Sequence, residues 1–137
     1  MEFKGNFQGA DVYDDYAHHP DEVEATISAV RASFPDKRLV LAFQPHTYSR
    51  TSALFDDFVR TLEKADVLYV AEIYAARERN TIGISSADLV EKIPGATYCE
   101  SLPEVTAQLK QIVREGDIVI TMGAGDIYRA GEALLKA

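Results

Sequence analysis

The sequence predicts an α/β domain with an open, mostly parallel sheet and helices on both faces. Short apolar runs recur along the chain without strict alternation, and segments with a helical period separate them. Strands buried on both faces give such continuous runs, and parallel neighbours need a long crossover, which is usually a helix. Because domains commonly span about 100 to 200 residues, we expect residues 1–137 to form a single domain.

Five apolar runs, rich in β-branched and aromatic residues, are the predicted strands. Three of them are continuous enough for the centre of the sheet, one is short, and the run that ends at Cys99 has the character of an edge strand. The predicted strands are Ala10–Tyr13, Arg38–Phe43, Asp66–Ala71, Ala96–Cys99 and Asp117–Met122. Residues 2–9 predict an additional short strand or hairpin that leads into the first of them.

Between the strands, apolar residues recur at spacings of three and four, which is typical of helices with one buried face. Pro20 suits a first helical position, because its missing N–H would be unpaired there, and Ser85 or Ser86 can cap a shorter helix. The predicted helices run approximately over residues 20–34, 49–64, 85–92, 103–113 and 127–135.

Composition limits the classes of partner that the chain can bind and indicates its cellular compartment. Fourteen Lys and Arg against 22 Asp and Glu give a formal net charge of −8, which argues against broad binding to nucleic acid or to an anionic membrane. Cys99, the single cysteine, fits a reducing compartment. Met1–Lys4 leads into polar sequence, and no run approaches the roughly 20 apolar residues of a membrane span. We therefore expect a soluble cytoplasmic protein without a targeting segment.

Polar segments follow four of the predicted strands. In open α/β sheets ligands bind outside the carboxyl ends of the strands, so these segments are the candidate site. All three histidines of the chain, His18, His19 and His46, fall in the first two segments. The four segments are Asp14–Pro20, Gln44–Thr51, Glu72–Glu78 and Gly123–Asp126.

Several of these residues have two possible roles. Asp15 suits a ribose hydroxyl pair, or it only hydrogen-bonds a loop backbone. His19 precedes Pro20 and is most simply part of a helix entry. His46 and Arg50 are four residues apart, so they share a face and can meet one anion if a helix already begins there. The alternative is that Arg50 pairs with a carboxylate such as Asp57 or Glu72.

The loop Gly123–Asp126 and the metal-binding patterns give weaker signals. The loop follows a strand and opens a helix, so its N–H groups could bind an anion, or its glycines serve only tight packing. The chain has no GxxxxGK[ST] loop for phosphate, and no His-x-x-x-His or paired-cysteine spacing for zinc. We therefore predict no resident metal site.

Five segments, in this order, carry a resemblance to a known family: DDYAHHP, FQPHTYSRT, LFDDF, EIYAARE and TMGAGDI. They closely resemble the C-terminal domain of the Mur ligases, and in particular the branch that adds L-alanine to UDP-N-acetylmuramate in peptidoglycan synthesis. The resemblance covers nearly the whole chain. It implies a Rossmann-like domain that closes over a central ATPase domain and brings in the amino acid. We therefore expect one domain of a longer enzyme, with the UDP-sugar and central ATPase domains absent and with the domain inactive alone.

On the nucleotide side, the resemblance implies that Asp15 meets the ATP ribose and that Tyr16 lies beside the nucleotide. It also implies a reaction that uses ATP and Mg²⁺ and passes through an acyl phosphate, with the metal ligands mainly in the missing central domain. His18 would face the phosphates and the alanine.

On the amino-acid side, the resemblance implies that His46 and Arg50 reach the alanine carboxylate and the muramoyl substrate. Tyr74 and Arg77 belong to the segment that would line this side of the cleft. The chain departs from the family pattern twice, because many relatives have Arg where Thr47 stands and Gly where Arg77 stands.

Two other functions compete with this one. The first is a free-standing α/β module that binds a nucleotide or a small anion without catalysis. The second, less favoured, is a metal-dependent hydrolase that uses His18, His19 and Asp15.

Overall fold

A six-stranded sheet forms the centre of the computed structural model, which describes residues 1–137. The strands are β1 (Glu2–Phe7), β2 (Ala10–Asp15), β3 (Leu39–Phe43), β4 (Val67–Ala71), β5 (Thr97–Cys99) and β6 (Ile118–Met122). They lie in the order β1-β2-β6-β3-β4-β5. β1 and β2 form an antiparallel hairpin, and every other neighbouring pair is parallel. The predicted mostly parallel sheet, its leading hairpin and its edge strand β5 are confirmed.

Six helices cover the sheet. They are α1 (Pro20–Ser33), α2 (Tyr48–Ala53), α3 (Phe55–Leu62), α4 (Ser86–Lys92), α5 (Leu102–Ile112) and α6 (Tyr128–Leu135). Ser85 is the N-cap of α4, as predicted, whereas α5 is capped by Ser101 and begins one residue before Pro103. None of these helices combines the length and the apolar character needed to cross a bilayer.

The single helix predicted over 49–64 is wrong, because the chain leaves helical geometry at Leu54, where φ is −112° and ψ is 22°. The two halves have different attachments. α2 is anchored by the buried Thr51, whose hydroxyl donates to the Thr47 carbonyl, whereas α3 packs on the hydrophobic core through Phe58 and Leu62.

Each face of the sheet carries its own hydrophobic core. Successive residues of a strand point to opposite faces, so Leu39, Leu41 and Phe43 of β3 join α1, α3 and α4 in the first core. Val40 and Ala42 join α5 and α6 in the second core. This alternation explains why the central strands are apolar at every position, and it leaves their carboxyl ends free at one edge.

Candidate functional site

Four aromatic rings from three loops form a continuous row at the carboxyl edge of the sheet. We call Tyr16, His18, His46 and Tyr74 the aromatic row. Neighbouring ring centroids are 5.4, 5.9 and 5.7 Å apart, and the His46 and Tyr74 planes are within 15° of parallel. The fold therefore brings together predicted site residues that lie up to 58 positions apart in the chain (74 − 16).

The loop after β3 is fixed against the loop after β4. The Thr47 amide donates to the Tyr74 carbonyl, and the Tyr74 amide donates to the Pro45 carbonyl, both at 2.8 Å. Thr47 has φ of 65°, which is costly for a β-branched residue. The Thr51 hydroxyl donates to the Thr47 carbonyl at 2.7 Å and helps to hold this conformation. Such local strain, supported by its surroundings, is common at functional sites.

Arg50 lies in the first turn of α2, half-buried and without an ion pair. No carboxylate lies within 4.0 Å of its guanidinium, so the predicted alternative of a surface pair is wrong. Asp57 instead accepts from Arg60 at 2.8 Å, and Glu72 accepts from neighbouring hydroxyl and amide groups. Arg50 therefore offers an uncommitted cation at the carboxyl edge of the sheet.

His46 precedes the helix and does not share a helical face with Arg50, because Thr47 is the N-cap of α2. The condition for a shared helical face is therefore not met, yet the charge of Arg50 still acts on the His46 imidazole. Burial, and then the charges of Arg50 and His18, lower the pKa of His46, while Glu78 opposes the shift. Its imidazole is therefore neutral at pH 7, and its buried Nδ1 has no hydrogen-bond partner. A neutral imidazole can donate one hydrogen bond and accept another.

Asp15 shapes the loop after β2 from within. The residue is 9% exposed, and its carboxylate accepts from the Ala17 amide at 2.9 Å and from the Thr26 hydroxyl at 2.7 Å. The loop role considered for Asp15 is therefore present, and a ribose contact stays a prediction. Tyr16, which follows it, is 68% exposed, and its ring makes an edge contact with the His18 ring.

His19 is committed to the entry of α1. Its Nδ1 accepts from the Asp21 amide at 3.1 Å, and Glu22 completes a capping box by accepting from the His19 amide. His18, His19 and Asp15 therefore do not converge on one point, and the metal-dependent hydrolase is not favoured. No group of three or more His, Cys, Asp or Glu side chains is placed to hold a metal ion.

Gln44 occupies the N–H groups that the Gly123–Asp126 loop was expected to offer to an anion. Its side-chain carbonyl accepts from the Asp126 and Ile127 amides at 3.0 and 3.1 Å, and its amide donates to the Asp126 carboxylate. Gln44 is 5% exposed. For these two N–H groups the anion-binding expectation is wrong, and no local sequence signal marks Gln44 as the residue that fills the position.

The glycines of this loop serve close packing, which was the alternative. A Cβ on Gly125 would lie 2.6 Å from the Tyr74 ring and 2.6 Å from the Gln44 side chain. Only a residue without a side chain lets Tyr74 lie flat against the loop and stack on His46. A cleft of about 240 Å³ opens beside this contact, between Tyr74, Asp126 and the loop after β5.

Two carboxylates of the Glu72–Glu78 segment are structural partners of other loops. Glu72 accepts from the Tyr98 and Ser85 hydroxyls, and Glu78 accepts from backbone amides at the start of α2. Arg77 is exposed and has no hydrogen bond or ion pair within the chain. The only signal for these carboxylates in the sequence is that they stand at the two ends of a segment that follows a predicted strand.

Comparison with known proteins places this chain in a family. Residues 1–125 match the family model described as "Mur ligase, glutamate ligase domain". A UDP-N-acetylmuramate–L-alanine ligase from Lachnospira eligens is 52% identical over 140 residues, which cover 99% of this chain and 30% of that protein. One from Aquifex aeolicus is 43% identical over 136 residues, again covering 99% of this chain and 30% of the relative. The chain thus spans about 30% of the length of these curated relatives.

Solved structures give the same result. The UDP-N-acetylmuramate-alanine ligase from Thermotoga maritima superimposes with a TM-score of 0.73 at 27% identity, over 93% of this chain and 26% of that one. A murein peptide ligase from Psychrobacter arcticus reaches a TM-score of 0.82 at 19% identity, over 99% and 29%, and supports the fold alone. The chain therefore belongs to the Mur ligase family and corresponds to the domain that the family model describes as its glutamate ligase domain.

Proposed function

We propose that this chain is the amino-acid-binding domain of an ATP-dependent ligase that joins L-alanine to UDP-N-acetylmuramate. The observation that carries the proposal is the uncommitted guanidinium of Arg50 beside the aromatic row. A planar guanidinium binds a carboxylate through two parallel hydrogen bonds. Relatives about 50% identical over this chain are named for that reaction, which supports alanine as the amino acid.

The residues divide the work between the two sides of the site. Arg50 binds the carboxylate of alanine, and the neutral His46 orients the amino acid or the muramoyl group by a hydrogen bond. Tyr74 and the exposed Arg77 line the outer wall. On the other side, Tyr16 lies against the nucleotide, Asp15 approaches its ribose, and His18 stands between the two sides, where phosphate and amino acid meet.

In the reaction, the muramoyl carboxylate is activated as an acyl phosphate, and the amino group of alanine displaces the phosphate. The contribution of this domain is positioning and charge stabilisation rather than acid–base chemistry alone. ATP supplies the phosphoryl group, and Mg²⁺ offsets its charge when bound. Their remaining ligands belong to a central domain, against which this sheet edge closes. We expect the enzyme to work in the cytoplasm, where ATP is available, and the free thiol of Cys99 fits such a reducing compartment.

Substitution of Arg50 in the complete ligase tests the proposal. Arg50→Ala removes a charged hydrogen-bond partner, and such bonds contribute about 1.5 to 3 kcal/mol, so we expect the KM for alanine to rise at least about tenfold. The KM for ATP should change less than about twofold, because Arg50 lies on the amino-acid side. Arg60→Ala, an exposed arginine of α3, is the matched control.

Two results would contradict the proposal. If the KM for alanine is unchanged in Arg50→Ala, Arg50 does not bind the alanine carboxylate. ATP-dependent joining of alanine by the 137-residue chain alone would show that no second domain is needed. Tight binding of ATP or a UDP-sugar to the isolated chain would instead favour a free-standing binding module, since one wall of a cleft should bind weakly.

A further inference from the structure

The carboxylate of Glu78 joins two loops that both belong to the candidate site. Its Oε1 accepts from the Tyr48 amide at 2.7 Å and from the Ser49 amide at 3.0 Å. Its Oε2 accepts from the Ser49 hydroxyl. Glu78 lies within the loop between β4 and α4, whereas Tyr48 and Ser49 are the first two residues of α2. These contacts tie residues about 30 positions apart in the chain.

The cap of α2 is unusual because the acceptor, Glu78, is remote in sequence from the helix. The first amides of a helix have no partner within it, and a side chain of the preceding residue normally satisfies them. In α2 the N-cap Thr47 reaches only the Arg50 amide, at 3.4 Å, which is a long contact. α2 has no acidic residue in its first turn, so Glu78 supplies the negative charge there.

Arg50 is the third residue of α2, directly after the two residues that Glu78 holds. With six residues, α2 is too short to be stable by itself, so its place depends on such contacts. We propose that Glu78 is a positioning residue, which sets the first turn of α2 and through it the guanidinium of Arg50 beside His46. This inference rests on the proposed function for the identity of the amino acid, but not for the geometry.

Three charged or titratable groups surround His46, namely Arg50, His18 and Glu78, and the Tyr74 ring covers one face. Of the three, Glu78 alone favours the protonated imidazole. The hydrogen bonds from Ser49 and Tyr48 also keep the pKa of Glu78 below its usual value, so its carboxylate is ionised at neutral pH. Removal of the Glu78 charge should therefore lower the pKa of His46 further.

The first experiment uses the 137-residue chain and needs no substrate. We expect Glu78→Ala to speed hydrogen exchange of the Tyr48 and Ser49 amides at least about tenfold, because they lose their acceptor. NMR titration of His46 should give a lower pKa in both Glu78→Ala and Glu78→Gln. Glu91→Gln is the matched control, since Glu91 is exposed on α4 and its side chain makes no hydrogen bond or ion pair. Unchanged exchange and an unchanged His46 titration would overturn the inference.

The second experiment separates this inference from the proposed function. In the complete ligase, Glu78→Ala should raise the KM for alanine at least about fivefold and leave the KM for ATP within about twofold. Glu78→Gln should restore most of the loss, because its side-chain carbonyl can still accept from both amides. If Arg50→Ala raises the KM for alanine and Glu78→Ala does not, the positioning role is overturned. If neither raises it, the alanine assignment fails, and the exchange experiment alone decides the role of Glu78.

Discussion

Gly125 illustrates how a single position determines the geometry of the site. The Tyr74 ring and the Gln44 side chain occupy the space that a Cβ would need, so Gly125→Ala must displace them and disturb the stack of Tyr74 on His46. Overpacking of this kind costs about 1 to 3 kcal/mol. We expect Gly125→Ala to lose stability in this range, measured by urea denaturation, and to shift the NMR signals of the His46 ring.

Gly131→Ala is the comparison for this prediction. Its Cβ would meet the Thr121 methyl group at 3.2 Å, a tight but less severe contact. Gly131 lies inside α6, where alanine is favoured over glycine by about 1 kcal/mol, so the two effects should nearly cancel. A Gly125→Ala variant as stable as Gly131→Ala, with unshifted His46 signals, would contradict the packing role.

Hydrogen bonds between side chains and distant loops could not be predicted from the sequence. Tyr16, His18, His46 and Tyr74 were identified because each follows a predicted strand, and strand ends meet at one edge. Gln44 also follows a strand, but its partners at Asp126 lie 82 positions away, and nothing local indicates them. The partners of Glu78 are equally remote. The type of a site residue and its position after a strand were therefore predictable, whereas its hydrogen-bond partner could be identified only from the fold.

At the scale of elements, Glu72 joins the end of β4 to β5 and to the start of α4. Burial raises the pKa of its carboxyl, but hydrogen bonds from Tyr98, Ile73, Ser85 and Ser86 outweigh this and leave the pKa below its usual value. The same bond to Glu72, followed by burial, raises the pKa of Tyr98 to about 12. A lowered carboxyl pKa stabilises the fold above the ordinary value of 4.5, and this stabilisation is lost as the pH falls through the folded value.

Tyr98→Phe tests this connection between elements. It removes one hydrogen bond to a charged group, so we expect a loss of about 1 kcal/mol or more in the free energy of unfolding at pH 7. The difference from the unsubstituted chain should shrink as the pH falls through the lowered pKa of Glu72, because the carboxylate then becomes protonated. Tyr128→Phe, on the exposed start of α6, should leave stability unchanged at both pH values. A Tyr98→Phe loss that does not depend on pH would show that Glu72 is not involved.

Elements differed in how well sequence patterns predicted them. Strands β3, β4 and β6 were recovered within one residue, because burial on both faces leaves an unbroken apolar run. The boundary between α2 and α3 was missed, because Leu54 fits the apolar period and no Gly or Pro marks the break. The two helices are anchored by different buried residues, Thr51 in α2 and Phe58 and Leu62 in α3, and a local sequence pattern does not show these contacts.

At the scale of the whole molecule, the two cores share one sheet. Val119 and Ile120 of β6, like Val40 and Leu41 of β3, alternate between the second and first cores. A strand cannot lose its neighbours on one face without disturbing the other, so we expect one cooperative unfolding transition. Phe58 lies in the first core and Leu109 in the second, both fully buried. Phe58→Ala and Leu109→Ala should each cost about 2 to 5 kcal/mol.

Cys99 gives a probe that belongs to the second core alone. It is 1% exposed, and burial, followed by the charge of Glu104, raises the pKa of its thiol to about 11. Thiolate is therefore scarce at pH 8, and a thiol reagent should label Cys99 only after unfolding. In Phe58→Ala, whose cavity is on the opposite face, the urea midpoint of Cys99 labelling should fall by as much as the midpoint measured by circular dichroism. If labelling kept its original midpoint while the helical signal moved, the two faces would unfold separately, and the shared sheet would not couple them.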